Sequence, residues 1–307
     1  MLISSLLTSC LSTWHQELTH DMDREFLLQG FTNGFHIIQS ESPLQHTECN
    51  NYKSATHPNV KPLVEQEILC ELSLGRYIAS NIPMTITSSL GAVPRKDKVK
   101  PRLIHDCSMP HGKGLNSYAK PDHFSFETID TAIKHISHGS YCAKIDLASA
   151  YRHVPLHPSN FHATGLKWHF HGNSTPTYMY DTRLPFGASA SVGHFHRITQ
   201  SVARIMHRRG FPSVICYIDD FLIIEKTKER AQEAYDTLIK LLQSLGFTIS
   251  WDKLVPPSQN ITFLGIEIDT VKHTLFLPPR KTFRATKVFC ELAWQAKCYK
   301  TGIAKLL

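Results

Sequence analysis

An α+β fold is predicted by three observations. Two apolar, β-rich runs, Val214–Ile218 and Phe221–Ile224, flank two acids, which is the pattern of an antiparallel hairpin. A separate apolar strand, Tyr141–Leu147, carries a carboxylate at its end. Amphipathic helices are interleaved with these strands without the repeated βα units of a parallel sheet. At 307 residues the chain fits one large domain or two ordinary ones, and its core needs no disulfide.

In chain order, residues 1–59 are polar and mixed, with Trp14, Gly30, Gly34 and Asn50-Asn51 as landmarks; residues 1–54 are treated as an N-terminal extension. From Val60, the apolar positions Leu63, Val64, Ile68, Leu69 and Leu72 follow helical spacing, and Gly75 supplies a stop. Leu90–Val99 reads as a strand entering a charged turn, Arg95–Lys100, with Arg102–His105 returning beside it. Tyr141–Leu147 reads as a buried strand and Ala188–Arg209 as a helix closed by Gly210. Asp219 and Asp220 are placed at the turn of the hairpin 214–224. Thr227–Leu245 is an amphipathic helix, apolar at Ala231, Ala234, Tyr235, Leu238, Leu241, Leu242 and Leu245. Phe247–Ser250 and Thr262–Ile268 read as further strands, and the tail from Lys281 as helical.

The formal charge of +7 is unevenly placed. Val93–Lys120 holds seven basic and two acidic residues, and Arg280–Leu307 seven basic and one acidic, so the remainder is mildly acidic. Two basic patches around an acidic middle favour a polyanionic partner. The eight cysteines are scattered without a C-x-x-C pair, which argues against zinc and a disulfide framework and for a reducing compartment. No apolar stretch reaches the ~20 residues of a membrane span, and the apolar start lacks a basic flank. A soluble, intracellular chain with no membrane partner is expected.

The chemistry points to Asp146, Asp219 and Asp220. Alone, the pair Asp219-Asp220 also reads as an ordinary acid-rich turn. Between two apolar strands, however, adjacent carboxylates repel unless a proton or a cation neutralises them. Mg²⁺ prefers such hard oxygen ligands and commonly shares its coordination with substrate phosphates. If the strand ending at Asp146 neighbours the hairpin, three acids converge on one sheet edge.

At this point the residues resemble a family. Tyr217–Phe221 (YIDDF) resembles the signature hairpin of reverse transcriptases, and residues 144–158 (KIDLASAYRHVPLHP) their first palm motif. Residues 184–191 (LPFGASAS) are similar to the loop and helix beside the templating pair. Residues 91–108 are similar to the fingers hairpin and 263–269 (FLGIEID) to the primer-gripping hairpin. The LPFG wording and the PRLIHDCS stretch (101–108) resemble retrotransposon polymerases, and the text within residues 50–78 (NNYKSATHPNV…GRYI) resembles the tyrosine-recombinase (DIRS-like) retroelements.

The resemblance implies a right-hand polymerase fold: fingers at 55–139 and 159–183, palm at 140–158 and 184–272, and the start of a truncated thumb at 273–307. It implies RNA-directed DNA synthesis on an RNA or DNA template-primer, with deoxynucleoside triphosphates and two Mg²⁺ ions for which Mn²⁺ can substitute. RNase H and recombinase or integrase regions of a parent polyprotein are implied partners. Asp146 and Asp219 become principal metal ligands, Asp220 a further acid, and the Leu147 carbonyl a backbone ligand. Tyr151 lies under the incoming sugar and excludes a 2′-hydroxyl. Arg95 and Arg102, with Lys96 as a neighbour, grip the triphosphate. Phe186 and Gly187 border the nascent base pair, Lys253 protonates pyrophosphate, and Phe263, Leu264 and Gly265 position the primer terminus. Val192-Gly193 departs from the family, which usually has a proline there. His169, His171, His194 and His196 are either polar surface or a site. Rival readings are a retroelement remnant that binds nucleic acid without polymerising and a different two-metal enzyme.

Overall fold

The acidic hairpin forms one side of a four-stranded antiparallel sheet in the computed structural model, which describes residues 5–38, 42–95, 98–119 and 124–277. The strand order is Val255–Ser258, Tyr141–Asp146, Asp220–Glu225, Val214–Tyr217. Alternation assigns the faces. Ala143, Ile145, Phe221 and Ile223 are fully buried in the main core, where the helices Ser189–Arg208 and Lys228–Ser244 cover the sheet. Cys142, Leu222 and Ile224 face the other way, onto a smaller core with Ile261, Phe263 and Ile268. Lys144, Asp146 and Asp220 share that second face by the same period of two.

Both long helices follow the expected bounds because their apolar stripes have the sheet to cover. The second starts where the Thr227 hydroxyl accepts the Arg230 amide, at 3.2 Å. Val192 and Gly193 simply continue the first. A five-stranded sheet runs Thr47–Glu48, Ile86–Thr87, Gly165–Trp168, Thr177–Asp181, Tyr77–Ser80, its first two pairings parallel. The helix Lys61–Ser73 packs Val64 and Ile68 onto it beside Leu166, Trp168 and Met179. Ser89–Arg95 and Lys98–Asp106 form the expected two-stranded ribbon, and Asn260–Phe263, Ile266–Asp269 and Thr274–Phe276 a three-stranded sheet.

Three sequence expectations are revised. The segment read as an extension is built into the main core: Leu7, Trp14, Leu18, Leu27 and Phe31 are fully buried there. Trp14 Nε1 donates to the Leu245 carbonyl at 3.1 Å, and Arg204 grips Asp21 through two hydrogen bonds, 2.9 and 2.6 Å. Phe247–Ser250 is not a strand; only Ile249 bridges, to Leu147, because the chain there passes the end of the sheet. The tight turn of the acidic hairpin is also shifted by one residue, as described below. The tail from Lys281 lies outside the described residues, as does residue 278 onward of the expected thumb.

Candidate active site

The hairpin turn is Ile218-Asp219, because Asp220 already pairs with Tyr217 across the ladder. Ile218 has φ +55°, a left-handed conformation that costs a β-branched residue about 1–3 kcal/mol. The two flanking strands hold it there, and the effect is to put Asp219 at the tip while Asp220 stays in the strand. Asp220 stands directly opposite Asp146, and the Leu147 amide donates to the Asp219 carbonyl at 3.0 Å. All three acids therefore meet at one end of the sheet, as the sequence predicted.

Two lysines share the site. Lys253 Nζ donates to Asp146 Oδ1 at 2.7 Å, and Lys144 Nζ stands 3.3 Å from Asp220 Oδ1. The second contact is an ion pair without hydrogen-bond geometry, so that buried Asp220 oxygen accepts no hydrogen bond. Burial raises the Asp146 carboxyl, but hydrogen bonds from Lys253 and Ser250 outweigh it and leave the group below its ordinary value. Asp219 is raised by burial and by the charge of Asp146. Burial pushes Asp220 up to about 6, with the Lys144 ammonium opposing. Among the described residues no three His, Cys, Asp or Glu side chains form a preassembled metal cage. Asp146 and Asp220 face each other across the ladder, with Asp219 at the adjoining turn.

Tyr151 follows on a short 3₁₀ turn, Ala150–His153, and is only 8% exposed. Its ring meets Phe186 edge-on at 4.9 Å and Phe195 at 5.1 Å, while Phe186 is half exposed. Burial, with Asp219 nearby, pushes the phenol up to about 12, so it stays neutral. Gly187 earns its place by contact: a Cβ would come within 1.7 Å of the His105 carbonyl oxygen. That brings the 184–187 loop onto the base of the two-stranded ribbon.

Sequence reasoning missed two residues. Asn116 clamps the loop, its amide donating to the Gly187 carbonyl at 2.9 Å and accepting from the Ser189 amide at 2.8 Å. Arg152, next to Tyr151, is buried and binds Glu71 (2.8 and 2.5 Å) and Asp181 (2.6 Å). A lone asparagine and a lone arginine carry no local pattern that would have marked either.

The remaining expectations divide. Lys253, Leu264 and Gly265 border an open groove of about 580 Å³ beside Lys144 and Asp220. Leu264 and Gly265 form the turn of the 260–269 hairpin, both with positive φ (49° and 75°). Phe263 is fully buried in the smaller core, so its side chain anchors this turn and does not reach the groove. Arg102 is exposed on the ribbon opposite Val93, and Arg95 ends the outgoing strand, paired with Lys98; Lys96 lies outside the described residues. The histidines do not gather. His194 and His196 are buried on the long helix, where His194 Nε2 bonds the His36 carbonyl and His196 stacks on Phe124, while His169 and His171 are exposed elsewhere.

With this geometry in place, residues 93–268 match the family described as reverse transcriptase (RNA-dependent DNA polymerase), more than half of the chain. The chain belongs to that family. Protein P of a Shanghai isolate of duck hepatitis B virus is 25% identical over 239 residues, covering 75% of this chain and 29% of Protein P. The genome polyprotein of Petunia vein clearing virus is 25% identical over 154 residues, 50% of this chain and 7% of the polyprotein. The chain thus spans less than a third of either relative. The foamy viral protease-reverse transcriptase in complex with an RNA/DNA hybrid superposes with a TM-score of 0.64 at 16% identity, over 88% of this chain and 36% of that one. Its complex with double-stranded DNA gives 0.63 at 17% identity, over 88% and 56%. The chain has the fingers and palm of the polymerase fold, and no helix among its described residues is long and apolar enough to cross a membrane.

Proposed function

We propose that this chain extends a primer 3′-end with deoxynucleotides on an RNA template, and on DNA as well. Residues 55–139 and 159–183 act as fingers, and 140–158 and 184–272 as palm. The observation that carries this reading is the convergence of Asp146, Asp219 and Asp220 on one open sheet edge beside the Tyr151–Phe186 wall.

The donor set fits a divalent cation. It is all oxygen, it holds more negative charge than its two lysines balance, and one buried Asp220 oxygen lacks a hydrogen bond. Mg²⁺ commonly takes one or two carboxylates and keeps the rest of its shell for water and substrate phosphates. Asp146, Asp219, Asp220 and the Leu147 carbonyl would hold two such ions, with Mn²⁺ able to substitute. When bound, these supply acidification of the primer hydroxyl and charge stabilisation of the departing pyrophosphate.

The other steps belong to side chains of this chain. The primer 3′-hydroxyl loses its proton to water as its oxygen bonds to the α-phosphorus, and the α-phosphorus–oxygen bond to pyrophosphate breaks, its electron pair leaving with pyrophosphate. Arg95 and Arg102 orient the triphosphate, since guanidinium groups match phosphate oxygens two at a time. The Tyr151 ring, packed between Phe186 and Phe195, closes the space a 2′-hydroxyl needs. Lys253, kept protonated by its bond to Asp146 against partial desolvation, is the proton donor for pyrophosphate. The Leu264-Gly265 turn lies against the primer terminus.

Primer extension on a poly(rA)-type template with Mg²⁺ tests the reading, comparing the native chain with Asp219→Asn. Extension falls at least about 10³-fold in the variant, the equivalent of several kcal/mol of charge stabilisation. Primer-template affinity stays within about twofold, because phosphate binding comes from basic residues elsewhere. Equal extension by both proteins, or a collapse of affinity in the variant, defeats it.

A further inference from the structure

Lys144 has no part in the chemistry above, yet it stands inside the site. The period of two along Tyr141–Asp146 puts it on the same face as Asp146, and it reaches diagonally to Asp220, with Nζ 3.3 Å from Oδ1. Both side chains are mostly shielded, 19% and 22% exposed. The Asp220 oxygen concerned has no hydrogen bond, so the lysine neutralises it without saturating it. On the other flank Lys253 meets Asp146, but its side chain is 48% exposed and freer to withdraw. Three carboxylates against two ammonium groups leave the edge one negative charge in excess.

We propose that Lys144 is a built-in counter-ion that sets the divalent-metal affinity of the acid edge, keeping it weak for a free cation and open to one that arrives with a triphosphate. The inference rests on the reading of these acids as a metal site. The physical argument is competition: an ammonium and a dication cannot both neutralise one Asp220 oxygen in a shielded setting, where a charge a few ångströms away is only partly screened. A triphosphate changes the balance by adding its own oxygens to the cation and a negative charge for Lys144 to meet. Lys144 borders the same groove as Asp220, so it can swing toward a ligand there without leaving its strand.

The test is Mn²⁺ binding to the full chain without nucleotide or nucleic acid, followed by the paramagnetic signal of free Mn²⁺. Lys144→Met keeps the aliphatic length beside its register neighbours Leu222 and Val255, so the sheet is preserved. It should bind Mn²⁺ about tenfold more tightly than the native chain, and Lys144→Arg should return affinity to the native level. In an Asp220→Asn background the gain from Lys144→Met should vanish. Equal Mn²⁺ affinity of native chain and Lys144→Met, with binding still abolished by Asp146→Asn, overturns the role of Lys144 alone. Mn²⁺ affinity unchanged by Asp146→Asn overturns the metal-site reading itself.

Discussion

The acid edge of the palm and the arginine cluster at its border with the fingers are joined by the single step Tyr151-Arg152, and they treat charge in opposite ways. In the cluster every carboxylate oxygen is satisfied. Glu71 takes Arg152 on one oxygen and Arg76 on the other, at 3.1 Å; Asp181 takes Arg152 on one and the Arg183 amide, at 2.9 Å, on the other. At the acid edge three carboxylates share two lysines, and one oxygen has only an unaligned ion pair. Burial alone therefore does not mark the functional region, since both are shielded. The difference is hydrogen bonding: each carboxylate oxygen of the cluster has a donor, whereas one buried oxygen at the acid edge has none.

The largest expected effect comes from breaking the balanced side. Arg152→Met leaves Glu71 and Asp181 buried against each other and should cost about 3–5 kcal/mol of folding free energy, read from urea denaturation. A loss below about 1 kcal/mol would show that the cluster is no more tightly coupled than a surface pair. Tyr151→Ala probes the joint between the two regions. It should relax discrimination against ribonucleotides by about 10- to 100-fold in competitive incorporation; unchanged selectivity removes Tyr151 from the sugar site.

A second arginine–carboxylate cluster sharpens the contrast through pH. Burial raises the Asp21 carboxyl, but Arg204, the Asp23 amide and Arg208 outweigh it and hold it below its ordinary value. Its folded value thus lies below its unfolded one, so it contributes stability that is present above about pH 4 and lost as pH falls through the folded value. Asp21→Asn should lower stability at pH 7 by about 1.5–3 kcal/mol and flatten the acid limb of the urea midpoint against pH. An acid limb as steep as the native one would show that other carboxylates govern it. The smallest effect belongs to a pair balanced but exposed: Glu233→Ala, facing Arg230 across one helical turn at 2.7 Å, should cost under about 0.5 kcal/mol by the same unfolding assay.

Much of this was legible because it is local. The strand Tyr141–Asp146, the two long helices and the acid hairpin each follow from runs of apolar residues whose period matches the final element. The turn of the hairpin was placed one residue late, at Asp219-Asp220, because acids favour turns; the ladder instead puts Ile218 in a conformation its side chain resists. Phe263 was read as a primer contact from its motif, and the motif holds while the ring turns into the core. The N-terminal helices gave no strong periodicity of their own. Their burial depends on Leu245, Phe247 and the arginines of a helix nearly two hundred residues away.

The sequence by itself determined the α+β class, the three acids, and the order of motifs by which the chain joins the reverse transcriptases. These depend on residue type and near-neighbour spacing, and nothing distant can alter them. Only the tertiary structure decided which charges are balanced. It brought Arg152 to Glu71 and Asp181, Lys253 to Asp146, and Lys144 to Asp220. Lys144 is the instructive case: alternation along one strand fixes its face, but its partner lies on a strand more than seventy residues further on. Electrostatic energy depends on distance in space and on exclusion of water, and neither exists until the sheet has closed.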